Sequence, residues 1–518
     1  MNHEDEFVNV SPSDGSVFST INSKSANTRD PEQSSGSSSS AAQNSSFSGN
    51  NVEYQMNLFA TIIGDDDKCI QPEHARTNCF GQCSEGRVQG EPFSEENDPR
   101  LFLNVSHPSS VFICGSQGSG KSHTLSCLLE NCLIPSRAGN LPNPLTGLVF
   151  HYDTFFSDET GSPCEAAFLS SHLDVKVRVL CSPTNVWSIK KTYSRFDIPV
   201  EPLYIDQRDL NTKRMMDLMA VSHGDGDVPL YIHTAKRILR EMRAAQEETK
   251  SGFEYETFKD QITHSGLTPG QVEPLKQRLG MLESFMPKAQ AAKMPSRRGQ
   301  ITEKLGTRWE PVAGQLTIVD LSCPCISPET ACSVFNIALG IFHEQDSTIG
   351  RVVALDEAHK YMNTSSEAEA FTETLLSVVR LQRHMAARVI ISTQEPTVST
   401  ALLNLCSVTI VHRFSSPEWL RSLQKHLAGA ATSPFARKKG KAVEGEEGQL
   451  DENDYGSLFD HIVKLGVGEA LLFSPSAIVG DGVGEDDPCK LRQLGSDYLA
   501  IRVRQRLTTD GGKSVLAV

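Results

Sequence analysis

No stretch of this 518-residue chain reaches about 18 consecutive apolar residues, the length a membrane-crossing helix needs. The first 30 residues are polar and acidic, where a secretory leader carries a basic start and an apolar middle. Neither a membrane span nor a leader is expected, and a soluble intracellular protein follows, with nucleus or cytoplasm left open. Basic residues are in the minority: 49 Lys and Arg stand against 64 Asp and Glu, a formal net charge of −15. That balance excludes wholesale coating of nucleic acid but not a local basic pore. The spacing of a disulfide framework is also missing. The 13 cysteines are scattered, and Cys114, Cys127, Cys132 and Cys406 fall inside apolar strand or helix patterns, as buried thiols do. One cluster has ligand chemistry, Cys69, His74, Cys79 and Cys83, without C-x-x-C spacing; a zinc site and a plain loop both fit it.

Residues 1–51 are rich in Ser, Asn, Gly and Asp with almost no aliphatic periodicity. Such a segment cannot bury enough apolar area to offset its ordering entropy, so a disordered tail is expected. Residues 52–104 read as an N-terminal extension. From residue 105 to 518 short apolar runs recur, at 110–114, 148–152, 175–180, 316–319, 352–355, 389–392, 408–411 and 470–473. Helical patterns at 125–133, 331–342 and 368–382 lie between them. Fully apolar runs alternating with helices predict an α/β fold with a mostly parallel, doubly wound sheet. Two insertions interrupt the rhythm: a helical one at 207–295 and a charged loop at 433–456, where Lys438, Lys439 and Lys441 precede Glu444 to Glu447.

Gly115-Ser116-Gln117-Gly118-Ser119-Gly120-Lys121-Ser122 satisfies G-x-x-x-x-G-K-[ST], directly after a predicted strand and before a helix. Glycines let the backbone fold into a nest whose N–H groups, with the helix dipole, face a phosphate. Lys121 is expected to reach the β- and γ-phosphates of ATP and Ser122 to ligate Mg2+, with His123 closing the binding segment. A second apolar run, Arg351 to Leu355, ends in Asp356-Glu357-Ala358-His359. Asp356 suits the water shell of the magnesium ion, and Glu357 suits the polarising of an attacking water.

Residues 356–359 also spell the D-E-A-H of a large helicase superfamily, but neither its Ser-Ala-Thr segment nor its Q-R-x-G-R block follows. Instead the run at 388–392 ends in Thr393-Gln394-Glu395-Pro396. Gln394, at a strand tip, is placed to sense a γ-phosphate or orient water, or is an ordinary strand-to-loop polar residue.

Taken together, the phosphate loop, the Asp-Glu-Ala-His segment, the helix ending Arg380-Leu381-Gln382-Arg383-His384 and the strand running into Thr-Gln-x-Pro resemble the HerA/FtsK superfamily of ATPases. Thr317 to Ser322 and Gly468 to Leu472 are similar to further strands of HerA-like proteins. The resemblance covers residues 105–180 and 312–475 and implies a P-loop NTPase fold and a homo-oligomer, a hexamer, that moves DNA. It implies Lys121, Ser122, Asp356, Glu357 and Gln394 as active residues, with Arg383 and Arg380 as the two candidates for an arginine finger offered across a subunit boundary. The sequence departs from the family in Glu395, in the size of the helical insertion and in showing no DNA-clamping or barrel domain in residues 1–104.

Asp320 ends a strand without a second carboxylate and reads as a structural cap; Asp153 reads as a loop-ordering residue. Arg502, Arg504 and Arg506 alternate near the C-terminus, either lining a polyanion path or lying on an exposed strand face. Two function classes stand: an ATP-driven motor on DNA, or a nucleotide-gated switch that assembles protein partners.

Overall fold

The computed structural model describes residues 77–88, 91–92, 100–104, 108–135, 143–154, 161–219, 230–291, 305–345, 348–431, 452–481 and 491–510. The expected disordered tail, Cys69 and His74, and the lysines at 438, 439 and 441 lie outside the described residues.

The strands are β1 (Thr77–Val88), β2 (Glu91–Pro92), β3 (Arg100–Asn104), β4 (Ser110–Cys114), β5 (Thr146–His151), β6 (Lys176–Cys181), β7 (Val200–Pro202), β8 (Gln315–Asp320), β9 (Arg351–Leu355), β10 (Ala387–Thr393), β11 (Val408–His412), β12 (Glu469–Phe473), β13 (Ile478–Asp481), β14 (Leu491–Gln493) and β15 (Leu499–Val503). Thirteen form one sheet in the order β2-β1-β15-β12-β11-β4-β10-β9-β5-β8-β6-β7, with β3 on β1. From β11 to β7 every pairing is parallel; β12, β15 and β1 extend the sheet antiparallel. This is an α/β fold of the P-loop type with a mostly parallel, doubly wound sheet.

The apolar runs are strands because both of their faces are covered. Phe112 and Cys114 point into one core with Leu148, Phe150, Val353 and Leu355, while Val111 and Ile113 point into the other with Val149, Val352 and Ala354. The two-residue period of a strand sends alternate side chains to opposite layers, so a strand buried twice must be apolar throughout. The Lys121–Leu133 helix covers the second face. The Pro328–Glu344 and Ser366–Arg380 helices cover the first, and Phe150 packs between them, with ring centroids 4.7 Å from Phe335 and 5.7 Å from Phe371. Both helices start on serine caps, Ser327 and Ser365, whose hydroxyls take otherwise unpaired N–H groups of the first turn.

Residues 212–291 hold helices Thr212–Leu218, Leu230–Thr249, Tyr255–Thr263, Pro269–Ser284 and Lys288–Ala291. Their apolar faces, through Ile238, Leu239, Phe258, Leu275 and Leu282, join the same core as Phe150. Toward the charged segment after 432, the described chain resumes in the Glu452–Lys464 helix, so the last part of the expected loop is helical. No helix among the described residues is long and apolar enough to cross a membrane.

Candidate nucleotide site

In an open parallel sheet, ligands bind beyond the carboxyl ends of the strands. Three of the predicted segments end there on neighbouring strands: the phosphate loop leaves β4, Asp356 and Glu357 follow β9, and Gln394 follows β10, which lies between the other two. The structure therefore brings Lys121, Asp356, Glu357 and Gln394 to one end of the sheet.

The loop has the backbone of an anion nest. Gly115, Gly118 and Gly120 have φ of 152°, 72° and 110°, which side chains rarely adopt. Two of them also lack room: a Cβ at Gly115 would stand 2.6 Å from the Cβ of His412, and one at Gly120 would stand 3.0 Å from the backbone nitrogen of Gly468. The Lys121–Leu133 helix starts on Gly120 with no side-chain cap and no acidic residue in its first turn, leaving its N–H groups for an anion. Lys121 is buried and its Nζ donates to the Ser116 carbonyl oxygen at 3.1 Å. Burial pushes its ammonium below the usual lysine range, against the pull of Glu357 and Asp356. A buried ammonium that gives up little hydration on meeting a phosphate suits the role.

The loop is tied down from three sides. Ser116 donates through both N and Oγ to the Arg413 carbonyl oxygen at 2.8 Å, and the Gly468 N–H donates to the Ser119 carbonyl oxygen at 3.2 Å. Beneath it, His412 is fully buried between Thr124 Oγ1 at 2.9 Å and the Glu469 carbonyl oxygen at 2.9 Å. Burial pushes its imidazole down to about 4, so it is neutral at pH 7. Sequence reasoning missed His412: its place at the end of the 408–411 apolar run was legible, but the pairing of that strand with β4 was not.

Asp356 is almost completely buried, and its two oxygens differ. Oδ2 is 3.2 Å from His151 Nδ1 and 3.6 Å from Cys164 Sγ. Oδ1 is buried with no hydrogen-bond partner, the state expected of an atom kept for a cation's water shell. Burial would raise this carboxyl, but His151 outweighs it and holds the group below the usual range, hence charged. Together with half-buried Ser122 on the first turn of the loop helix, the residues present fit Mg2+ with a nucleotide phosphate.

Glu357 has φ 48° and ψ 45°, a left-handed backbone unusual for a residue with a side chain and worth about 1–2 kcal/mol of strain. Its Oε2 receives Gln394 Nε2 at 3.2 Å and lies 3.3 Å from His359 Nδ1. The Gln394 N–H in turn points at His359 Nδ1 from 3.4 Å.

Other expected residues fall elsewhere. Arg380 and Arg383 are exposed just before β10, at the opposite end of that strand from Gln394, so they do not join this chain's own nucleotide site. His123 turns its ring to the C-terminal segment, with Nε2 2.8 Å from the Arg504 carbonyl oxygen and Nδ1 3.5 Å from Asp510. The arginine face must be corrected: only Arg502 is exposed. Arg504 pairs with buried Glu130 at 2.7 Å, and Arg506 pairs with Glu165 at 2.6 Å, because the chain turns inward after β15 onto the loop helix. Asp320 accepts from the Tyr193 hydroxyl at 2.6 Å and the Ser322 N–H at 2.9 Å, and Asp153 pairs with Lys360 at 3.2 Å.

A glycine nest opening an uncapped helix, a buried lysine beside it and a carboxylate pair two strands away make up the geometry of a P-loop. No family model matches the chain, and no curated protein matches it. Among solved structures it is similar to VirB4 of Thermoanaerobacter pseudethanolicus, at 12% identity over 84% of this chain and 98% of that one, with a TM-score of 0.42. It is also similar to the cytoplasmic domain of the type VII secretion ATPase EccC of Thermomonospora curvata, at 12% identity over 86% of this chain and 30% of that one, with a TM-score of 0.27. A third is the genome packaging NTPase B204 of Sulfolobus turreted icosahedral virus 2 in complex with AMP, at 15% identity over 31% of this chain and 62% of that one, with a TM-score of 0.21. At identities of 12–15% and TM-scores of 0.42 or less, these likenesses carry no argument about what the chain does.

Proposed function

We propose that this chain binds and hydrolyses Mg-ATP at the β4, β9 and β10 strand ends and works as a ring-forming motor of the HerA/FtsK kind, with DNA as its track. The observation that carries the ATPase reading is the convergence of Lys121, Asp356, Glu357 and Gln394 just beyond the ends of adjacent strands. Lys121 and the loop N–H groups would bind the phosphates, and Asp356 and Ser122 would hold Mg2+, which supplies neutralisation of charge on the transferring phosphoryl group. Glu357 accepts the proton of the attacking water, and Gln394 orients the Glu357 carboxylate.

The ring and the track rest on the motif resemblance. A neighbouring subunit would receive the exposed Arg380 or Arg383 at its own γ-phosphate. The second reading, a nucleotide-gated switch for protein partners, draws support from Arg504 and Arg506, which are spent on internal ion pairs and not offered to a polyanion. ATPase rates with and without single- and double-stranded DNA at low salt separate the two, since phosphate contacts weaken steeply with salt. A DNA-stimulated, salt-sensitive rate supports the motor; an unchanged rate with no DNA retained overturns it in favour of the switch. Loss of nucleotide binding in Lys121→Ala tests the site itself, and unaltered affinity there would remove it.

A further inference from the structure

His151, at the end of β5, Cys164, at the start of the 3-10 turn Glu165–Ser171, and Asp356, at the end of β9, meet below the nucleotide site. Each is buried, and their nearest donor atoms all lie within 4.8 Å of one another. Imidazole, thiol and carboxylate are the three ligand types that zinc-class ions take, and three protein ligands with an open fourth position form a recurrent site. The two edges that meet at Asp356 Oδ2 fit that geometry. Zn–N and Zn–O bonds near 2.0 Å and a Zn–S bond near 2.3 Å, set at tetrahedral angles, separate N from O by about 3.3 Å and S from O by about 3.5 Å. The structure has 3.2 Å for His151 Nδ1 to Asp356 Oδ2 and 3.6 Å for Cys164 Sγ to the same oxygen. The third edge, His151 to Cys164, lies within 4.8 Å, so all three donors are in reach of one cation.

The surroundings favour a cation as well. Asp320, on β8 beside β5, adds negative charge near His151. The ring's other nitrogen, Nε2, is buried without a partner, so Nδ1 is the nitrogen the fold directs at a ligand. The Cys164 backbone N–H donates to the Tyr193 hydroxyl at 2.9 Å, which in turn donates to Asp320 at 2.6 Å, so the cysteine's position is set by the same network as the Asp320 carboxylate.

We propose that His151 Nδ1, Cys164 Sγ and Asp356 Oδ2 form a binding site for a zinc-class divalent cation, and that its occupation opposes Mg-ATP binding at the other oxygen of the same carboxylate. Binding forms the metal–sulfur bond and releases the thiol proton to solvent; no redox partner is involved. Opposition follows from charge: two dications sharing one carboxylate repel each other, and Asp356 donates less to the second. This second half rests on the ATPase reading above, and the first does not.

The full chain, reduced and stripped of metal, is titrated with Co2+ while sulfur-to-cobalt charge-transfer absorption and bound metal are read. Wild type should bind one equivalent that both Cys164→Ser and His151→Asn lose, whatever other cysteines bind. Identical stoichiometry and absorption in all three proteins overturns the site. Thermal unfolding of each variant, with Cys164→Ala as a second sulfur-free form, identifies a variant that has merely failed to fold. In the second arm Zn2+ is added to Mg-ATP turnover, each protein being referred to its own zinc-free rate. Half-inhibition should need at least about tenfold more Zn2+ in Cys164→Ser and should rise with Mg2+ in wild type. Cobalt binding at the site without zinc inhibition overturns the coupling alone. A wild type with no ATPase activity sinks the ATPase reading while leaving the cobalt result to stand.

Discussion

Gln394 Nε2 lies 3.2 Å from Glu357 Oε2, so the tip of β10 grips the carboxylate that ends β9. Two consequences follow for turnover. Glu357→Gln should retain ATP binding and lose at least about a hundredfold in rate, as for removal of a general base. Gln394→Ala, which leaves the base but frees it, should lose less and leave ATP affinity nearly unchanged. Single-turnover rates beside equilibrium nucleotide binding check both; wild-type turnover in Glu357→Gln would point to another base.

Phe150 is the hinge of packing between β5 and two helices, and its ring meets Phe335 and Phe371. Truncation in Phe150→Ala should cost about 3–5 kcal/mol of unfolding free energy through lost burial and a residual cavity. Denaturant unfolding measures it. A cost below about 1 kcal/mol would mean that the site collapses freely.

Glu130 sits fully buried on the loop helix, accepting from Arg504 at 2.7 Å, the Leu507 N–H at 3.1 Å and the Thr508 N–H and hydroxyl at 3.0 and 2.6 Å. Burial alone would raise its carboxyl; Arg504 and these hydrogen bonds outweigh that and lower it. Glu130→Gln takes the close counter-charge from Arg504, while Arg506 keeps Glu165, and should destabilise by about 3–5 kcal/mol. Limited proteolysis should then release residues 504–510 first, and unchanged cleavage would argue against a C-terminal clamp.

His412 gives a pH signature. Its folded imidazole stays neutral down to about 4, whereas the unfolded chain takes up a proton below the ordinary 6.5. Between those values the unfolded state binds more protons, so stability falls on acidification, by up to about 1.4 kcal/mol per pH unit for one group. His412→Gln, which keeps polar contact with Thr124 and the Glu469 carbonyl, should show a shallower fall between about pH 6.5 and 4. Equal slopes in the two proteins would show that His412 does not set the acid limb.

What the sequence by itself determined was the local chemistry and the layer pattern. Gly115 to Ser122 and Asp356-Glu357 are contiguous, and a strand covered on both faces has to be apolar at every position, so motif and fold class were legible in the order of residues. The chain could not show which strand ends adjoin. Only the crossovers insert β10 between β4 and β9, and only they set His151 against Asp356, 205 positions apart, or Arg504 against Glu130, 374 positions apart. Alternation made Arg502, Arg504 and Arg506 look like one solvent face, because periodicity records which way a side chain points along a strand. It does not record where the strand ends, and β15 stops at Val503, after which the chain turns two of the three arginines inward onto buried Glu130 and partly buried Glu165.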